Sequence, residues 1–229
     1  RRLGQMAILT AQRTPLGILP EERLAGSAPL LDAVRHTIPG TEWSSISHTT
    51  VDFGDAVGKG LAGLESELRD SLAQAADAEE RDFTLSLFDA VTAMRIWTKR
   101  YVAAFRAEFA GTPYATELAA RLERVPELPP TNFPDALQSF WSFFEFERLN
   151  GNWSGLGRID RILGPYLERD LAAGTITLDE AREWIAHFWI KGTEWCFGAR
   201  ATTQFSPGSG DAQSYQNVIL GGVDADGRQ

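Results

Sequence analysis

Residues 214–229 read SYQNVILGGVDADGRQ, and this stretch decides how the fold is interpreted. Residues 216–220 have the apolar character of a short buried strand, and residues 221–227 are typical of the turn after it. Two glycines followed by Asp-x-Asp-Gly let the backbone bend sharply and pack closely. A finished domain rarely stops just after such a turn, so the pattern predicts one strand of a larger sheet.

The same turn also resembles the start of a calcium-binding loop, through Asp224, Asp226 and Gly227. A calcium loop needs further oxygen ligands and a glutamate near its twelfth position. The sequence supplies neither before residue 229, and it does not match a phosphate-binding fingerprint. A structural turn is therefore the favoured interpretation.

The composition excludes several classes of protein. Hydrophobic residues make up 43% of the 229 residues and charged residues 23%, as in ordinary globular proteins. No apolar run approaches the roughly 18 residues of a membrane span. The formal charge of −9, from 31 acidic and 22 basic residues, argues against a nucleic-acid partner. The start, RRLGQMAILTAQR, has no apolar core of signal-peptide length and is interpreted as an internal start.

Cysteine and histidine usage makes disulfides and metal sites improbable. The single cysteine, Cys196, excludes an internal disulfide and fits a reducing cytoplasm. Cys196 stands between two aromatic residues, which favours a buried, inert thiol, although the nearby Arg200 leaves a reactive role open. The three histidines, at positions 36, 48 and 187, are too far apart for a local metal motif.

Helical periodicity dominates after a mixed N-terminal region of about 55 residues that is rich in Pro and Gly. The predicted helices are 57–76, 81–111, 115–125, 131–150, 158–174 and 177–195. The helix at 131–150 has Thr131 or Asn132 as its cap and is apolar on nearly all faces, so it belongs deep inside a large body. Thr177 and Glu180 form a capping box. With one clear strand, at 217–220, the core is predicted to be incomplete.

The segment NGNWSGLGRID, residues 150–160, is the strongest candidate for a site. A polar, glycine-rich break between buried helices must direct its amides into its own turn or toward a ligand. Arg158 is interpreted either as a carboxylate clamp or as a structural partner of Asp160 or Glu168. His48, which precedes a helix, is either a pocket residue or bonded to a backbone carbonyl.

Six segments, taken in order, resemble the glycyl radical enzymes, the pyruvate formate-lyase-like family. They are PEERLAGS (20–27), SHTTVDFGDAVGKGLAGL (47–64), ATELAARLERVPELPPTNFPDALQSFWSFF (115–144), LGRIDRILGPYLERDL (156–171), EAREWIAHFWIK (180–191) and YQNVILGGVDADG (215–227). The resemblance implies an α/β fold, mostly helical in this portion, that forms a half-barrel of a ten-stranded α/β barrel. Residues 1–229 would be a partial domain, and the chain would continue beyond it.

The family resemblance also implies a mechanism. In the family, a backbone glycyl radical, installed by an S-adenosylmethionine radical activase, oxidises a cysteine, and the thiyl radical abstracts hydrogen from a small-molecule substrate. The cysteine loop and the radical glycine follow the LGG turn in the family, so no catalytic residue is assigned here. The expected assembly is a cytoplasmic homodimer of the full-length protein in anaerobic metabolism, without nucleic acid or membrane.

The substrate-binding residues that the resemblance implies are Asn152, Trp153, His48, Asp52 and Arg158. In relatives that dehydrate diols, a His and a Ser stand where this chain has Asn152 and Trp153. This departure argues against a simple diol dehydratase. The alternatives to an enzyme portion are a catalytically inactive half-barrel that serves as a binding or assembly module, and an unrelated helical ligand-binding domain.

Overall fold

The computed structural model describes residues 1–26, 51–149, 155–194, 218–223 and 226–227, without the side chains of residues 148, 149, 193 and 194. These parts contain seven α-helices. Helix α1, Arg2–Arg13, lies in the region that the sequence predicted to be mixed. Its buried face consists of small residues, Gly4, Ala7, Thr10 and Ala11. The backbone of α1 therefore approaches its neighbour closely, and a Cβ added at Gly4 would lie 2.5 Å from Asp89 Cβ.

Helix α2, Phe53–Gln74, begins four residues earlier than predicted. The Asp52 carboxylate accepts the Asp55 N–H at 3.0 Å and so caps this helix. Gly60, at φ +65°, kinks α2 where it crosses residues 126–128. Leu61 and Ala62 donate their N–H groups to Pro126 O and Glu127 O at 2.8 and 3.0 Å, so the amides that the kink frees remain paired.

Helix α3, Ala78–Ala107, packs both on α1 and on α4, Ala115–Leu122, through one aromatic cluster. Asp77 caps α3 by accepting the N–H groups of Glu79 and Glu80. The predicted end of α3 at Gly111 is wrong, because Phe109 N–H bonds to Ala104 O and breaks the α-helical pattern earlier. The large side chains of the cluster are Trp97, Tyr101, Phe105, Leu118 and Leu122.

Helix α5, Phe133–Leu149, is the centre of the main core, as its apolar pattern predicted. Asn132 is the capping residue, since its Oδ1 accepts the Asp135 N–H at 2.8 Å. The buried apolar side chains that α5 contributes are Phe133, Ala136, Leu137, Phe140, Trp141 and Phe144. Side chains from α2, α6 and α7 pack around them.

A buried polar stripe on α5, which the sequence analysis did not predict, binds the backbone of residues 25 and 26. Gln138 Oε1 accepts the Ala25 N–H, and Gln138 Nε2 donates to Ala25 O, both at 2.9 Å. Trp141 Nε1 donates to Gly26 O at 2.8 Å. Glu145 accepts the Trp97 Nε1–H and occupies the space where Gly26 would carry a Cβ. Gly26, at φ +112°, is therefore required by both its conformation and its surroundings.

The last two helices are α6, Ile159–Ala172, and α7, Leu178–Glu194. The capping box at the start of α7 is confirmed, with Thr177 N–H donating to Glu180 Oε2 at 2.7 Å and Glu180 N–H donating to Thr177 Oγ1 at 3.2 Å. Lys191 forms a buried ion pair with Glu22, which joins α7 to the N-terminal segment. Within the described residues, no helix is long and apolar enough to cross a membrane.

Gly157 and Val218 form an isolated parallel β-bridge, and Ile219 N–H donates to Gly157 O at 3.0 Å. The described part of the predicted strand at 217–220 thus pairs at a single residue. The described residues otherwise form helices and their connections, so this portion is mostly helical, as predicted.

Candidate functional site

The candidate site is built on the two segments that the parallel bridge joins, residues 155–160 and 218–223. Leu156 is fully buried in the core around α5 and anchors the first segment, while Ile159 begins α6. Gly157, Gly221 and Gly222 have φ values of +66°, +73° and +114°. Glycine adopts such angles without the strain that other residues suffer, so both segments can turn beside one another.

Arg158 and Asp160 form a two-point ion pair at the centre of this site. Arg158 Nε donates to Asp160 Oδ1 at 2.8 Å, and Arg158 Nη2 donates to Asp160 Oδ2 at 2.7 Å. The two side chains are 27% and 31% exposed, so the pair remains in contact with solvent. Of the structural partners that the sequence offered for Arg158, Asp160 is the one that binds it.

Asp160 also binds the turn of the second segment, because Gly221 N–H donates to its Oδ2 at 3.1 Å. The hydrogen bonds from Arg158 and then from Gly221 hold the pKa of the Asp160 carboxyl well below its usual range. The hydrogen bond to Asp160 in turn raises the pKa of Arg158. The pair is therefore fully charged at neutral pH.

The third nitrogen of Arg158, Nη1, faces the glycine turn. A Cβ added at Gly222 would lie 3.0 Å from Arg158 Nη1. Among the described residues, no atom lies within 4 Å of a Cβ placed at Gly157 or at Gly221. Glycine at position 222 thus lets a guanidinium approach the backbone closely.

Asp52 occupies a different position from Arg158. It is exposed, and its carboxylate caps α2. The N-terminal ends of α2 and α6 are neighbours, since a Cβ at Gly54 would lie 3.6 Å from Ile162 Cγ1. The remaining predicted site residues, His48, Asn152 and Trp153, lie outside the described residues, and so does Cys196.

Apart from the candidate site, a cavity of about 450 Å³ lies among α4, α5 and α7, and the sequence analysis did not predict it. Its arginines pair with carboxylates of the wall: Arg121 Nε and Arg124 Nη2 donate to Asp135 Oδ1 at 3.2 and 3.0 Å. The Arg23 and Arg121 guanidinium carbons lie 4.2 and 4.7 Å from the ring centroid of Trp184. This arrangement is typical of an ion network that stabilises helix packing.

The described residues contain no group of three or more His, Cys, Asp or Glu side chains arranged to hold a metal ion. The candidate site presents a guanidinium, a carboxylate and glycine amides at one end of a parallel bridge, groups that can bind polar or charged parts of a ligand.

The family of the chain follows from a comparison of its whole length with known proteins. Residues 31–229 match the family described as pyruvate formate lyase-like. The chain belongs to this family. The resemblance to glycyl radical enzymes predicted from the six sequence segments is thus confirmed.

Two individual relatives illustrate the family match. Indoleacetate decarboxylase of Tractidigestivibacter scatoligenes is 35% identical over 136 residues, which are 56% of this chain and 15% of the relative. Isethionate sulfite-lyase of Desulfovibrio desulfuricans is 28% identical over 192 residues, which are 77% of this chain and 23% of the relative. The chain therefore spans less than a quarter of these relatives.

A solved structure shows the same fold. The B12-independent glycerol dehydratase from Clostridium butyricum superposes with a TM-score of 0.78 at 18% identity, over 99% of this chain and 39% of that chain. At this identity the likeness concerns the fold alone.

Proposed function

We propose that this chain is a portion of a glycyl radical enzyme that cleaves a C–C, C–O, C–N or C–S bond of a small metabolite. The observation that carries the proposal is the family match over residues 31–229. The ten-stranded barrel, of which residues 157 and 218 would begin two neighbouring strands, belongs to the same proposal.

Within that enzyme, the role of this chain is to bind the substrate. Asn152, Trp153, His48, Asp52 and Arg158 are proposed to line the pocket, and no catalytic residue or cofactor is assigned to the chain itself. The glycyl radical supplies the hydrogen-abstracting chemistry and is placed on a glycine outside residues 1–229. The proposed partners are an S-adenosylmethionine radical activase and a second copy of the full-length protein, in the cytoplasm.

The relatives define which substrates to try first. Their names specify a decarboxylase of indoleacetate and a sulfite-lyase of isethionate, and the solved structure is a glycerol dehydratase. Two of these three substrates are organic anions, and Arg158 has a guanidinium nitrogen, Nη1, that is not bonded to Asp160. An anionic substrate is therefore proposed ahead of a neutral diol.

The test begins with the coding sequence that surrounds residues 1–229. The full-length product is activated without oxygen by its activase and S-adenosylmethionine, and the glycyl radical is measured by electron paramagnetic resonance. Indoleacetate, isethionate and glycerol are then supplied, and products are measured by mass spectrometry. A radical signal and turnover of one substrate are expected, and Asn152→Ala should raise KM while the radical signal stays unchanged. The exposed Arg182→Ala serves as the control.

The alternative is a catalytically inactive half-barrel that serves as a binding or assembly module. It is favoured if the reading frame and its neighbours encode no cysteine loop and no radical glycine. In that case no radical signal appears with any activase, and the enzyme proposal is wrong.

A further inference from the structure

Asp160 makes three hydrogen bonds that converge from two parts of the chain. Two come from the Arg158 guanidinium, at 2.8 and 2.7 Å, and the third comes from the Gly221 N–H, at 3.1 Å. Asp160 lies in the first turn of α6, where a carboxylate is also favoured by the helix dipole. A single side chain thus joins the start of α6 to a turn 61 residues further along the chain.

The geometry fixes which part of Arg158 is available to another molecule. The two-point pair uses the edge formed by Nε and Nη2, and two parallel N–H···O bonds of this kind fix the orientation of the guanidinium. Asp160 occupies that edge. The Nη1 group is directed toward Gly222, where a Cβ would lie only 3.0 Å away. The pair leaves both Nη1 hydrogens and the second Nη2 hydrogen of Arg158 unused by Asp160, and Nη1 is the group that lies beside the glycine turn.

The strength of the ion pair does not explain its arrangement. Partly exposed ion pairs typically contribute only about 0–1 kcal/mol to stability. If the Arg158–Asp160 pair served stability only, Asp160 would not also need to bind the glycine turn at Gly221. The shared acceptor instead fixes the distance between the guanidinium and the turn.

We propose that Asp160 is a positioning residue, which orients Arg158 by its Nε–Nη2 edge and holds the Gly221–Gly222 turn beside Nη1. The proposal rests on the proposed function insofar as Arg158 contacts an anionic substrate. It concerns Asp160 itself, to which the sequence assigned only a structural role.

The first test measures hydrogen exchange by NMR in the full-length protein, labelled with ¹⁵N at glycine, arginine and phenylalanine, at the Gly221 N–H and at the Arg158 Nε–H. In Asp160→Ala, both groups should exchange about two- to tenfold faster, the change expected for one lost hydrogen bond. Asp160→Asn retains an acceptor oxygen and should give an intermediate rate. The matched control is Asp179→Asn, an aspartate in the first turn of α7 that is 91% exposed. The amide of Phe140 in α5 should remain protected in every variant.

A second test separates positioning from mere stability. In Arg158→Lys the Gly221 amide should exchange as in the wild type, because its bond to Asp160 is kept. In the activated full-length enzyme, Asp160→Asn should raise KM for the anionic substrate while the radical signal stays unchanged. Unchanged exchange of both groups in Asp160→Ala, with Phe140 still protected, would overturn the inference. A missing radical signal instead refutes the proposed function.

Discussion

Replacing Gln138 tests how α5 holds the N-terminal segment. The Gln138 side chain is fully buried and makes three hydrogen bonds, two to Ala25 and one from Nε2 to Ser142 Oγ at 3.1 Å. In Gln138→Met, a side chain of similar volume removes all three bonds. Ala25 is 2% exposed, so its N–H and C=O would both lose their partner in a place that water reaches poorly.

The expected loss of stability comes from the N–H and C=O of Ala25, which would both lose their hydrogen-bond partner. An unsatisfied buried polar group costs about 1–3 kcal/mol, so two of them in Gln138→Met should lower the free energy of unfolding by about 2–6 kcal/mol. Gln138→Ala also leaves a cavity and should lose about 2 kcal/mol or more beyond the methionine variant. Gln138→Glu keeps the acceptor for the Ala25 N–H but loses the donor and introduces a buried charge, so it should be no better than the methionine variant.

The assay is urea unfolding of each variant, followed by circular dichroism at 222 nm. Comparing the methionine and alanine variants separates lost hydrogen bonds from lost packing. If Gln138→Met unfolds within about 0.5 kcal/mol of the wild type, a scale typical of surface substitutions, the paired amide does not hold residues 24–26 and the reasoning is refuted.

Three further predictions concern single sites. Gly26→Ala should destabilise the chain by about 2–4 kcal/mol in the same assay, because φ is +112° and the new Cβ would overlap a buried carboxylate. The control Gly164→Ala, at a helical position where the added Cβ meets no described atom, should not be destabilising, and equal losses in the two variants would contradict this account. Burial, followed by the charge of Arg23, lowers the pKa of His187 below the 6.5 usual for histidine, so the folded state should lose stability as pH falls below 6.5 and the unfolded chain takes up the proton first. Arg23→Gln should raise that pKa in an NMR titration, and a lower value would be inconsistent with the proposed cause. Ile219, Leu220 and Val223 are all at least half exposed, and such an apolar segment favours self-association, so Leu220→Lys should lower the sedimentation coefficient at high protein concentration; an unchanged coefficient would contradict this prediction.

The helices of the main core could be predicted because their signals are local. The apolar residues of 133–149, the cap at Asn132 and the capping box at Thr177 are all contained within a few residues of sequence. Helix α1 was missed because its buried face is made of Gly4, Ala7, Thr10 and Ala11, which are too small or too polar to register as an apolar stripe. Its packing depends on close backbone approach, which periodicity does not detect.

The contacts that define the candidate site join distant parts of the chain and could not be predicted from the spacing of residues in the sequence. Arg158 had two possible partners nearby in sequence, and only the fold selects Asp160. The bond from Gly221 to Asp160 spans 61 residues, and the bonds from Gln138 to Ala25 span 113. The family resemblance placed Arg158 in a candidate site, but neither the resemblance nor the local pattern indicated that Asp160 holds two segments together.

The parallel bridge between Gly157 and Val218 has a consequence for the order of folding. Its two partners are separated by α6 and α7, and parallel neighbours require such a crossover before they can pair. Contacts between residues that are distant in sequence form slowly, because closing the loop between them costs conformational entropy. The two helices should therefore dock on α5 before the bridge closes, and Arg158, Asp160 and the glycine turn would then be assembled late, on a core that is already formed.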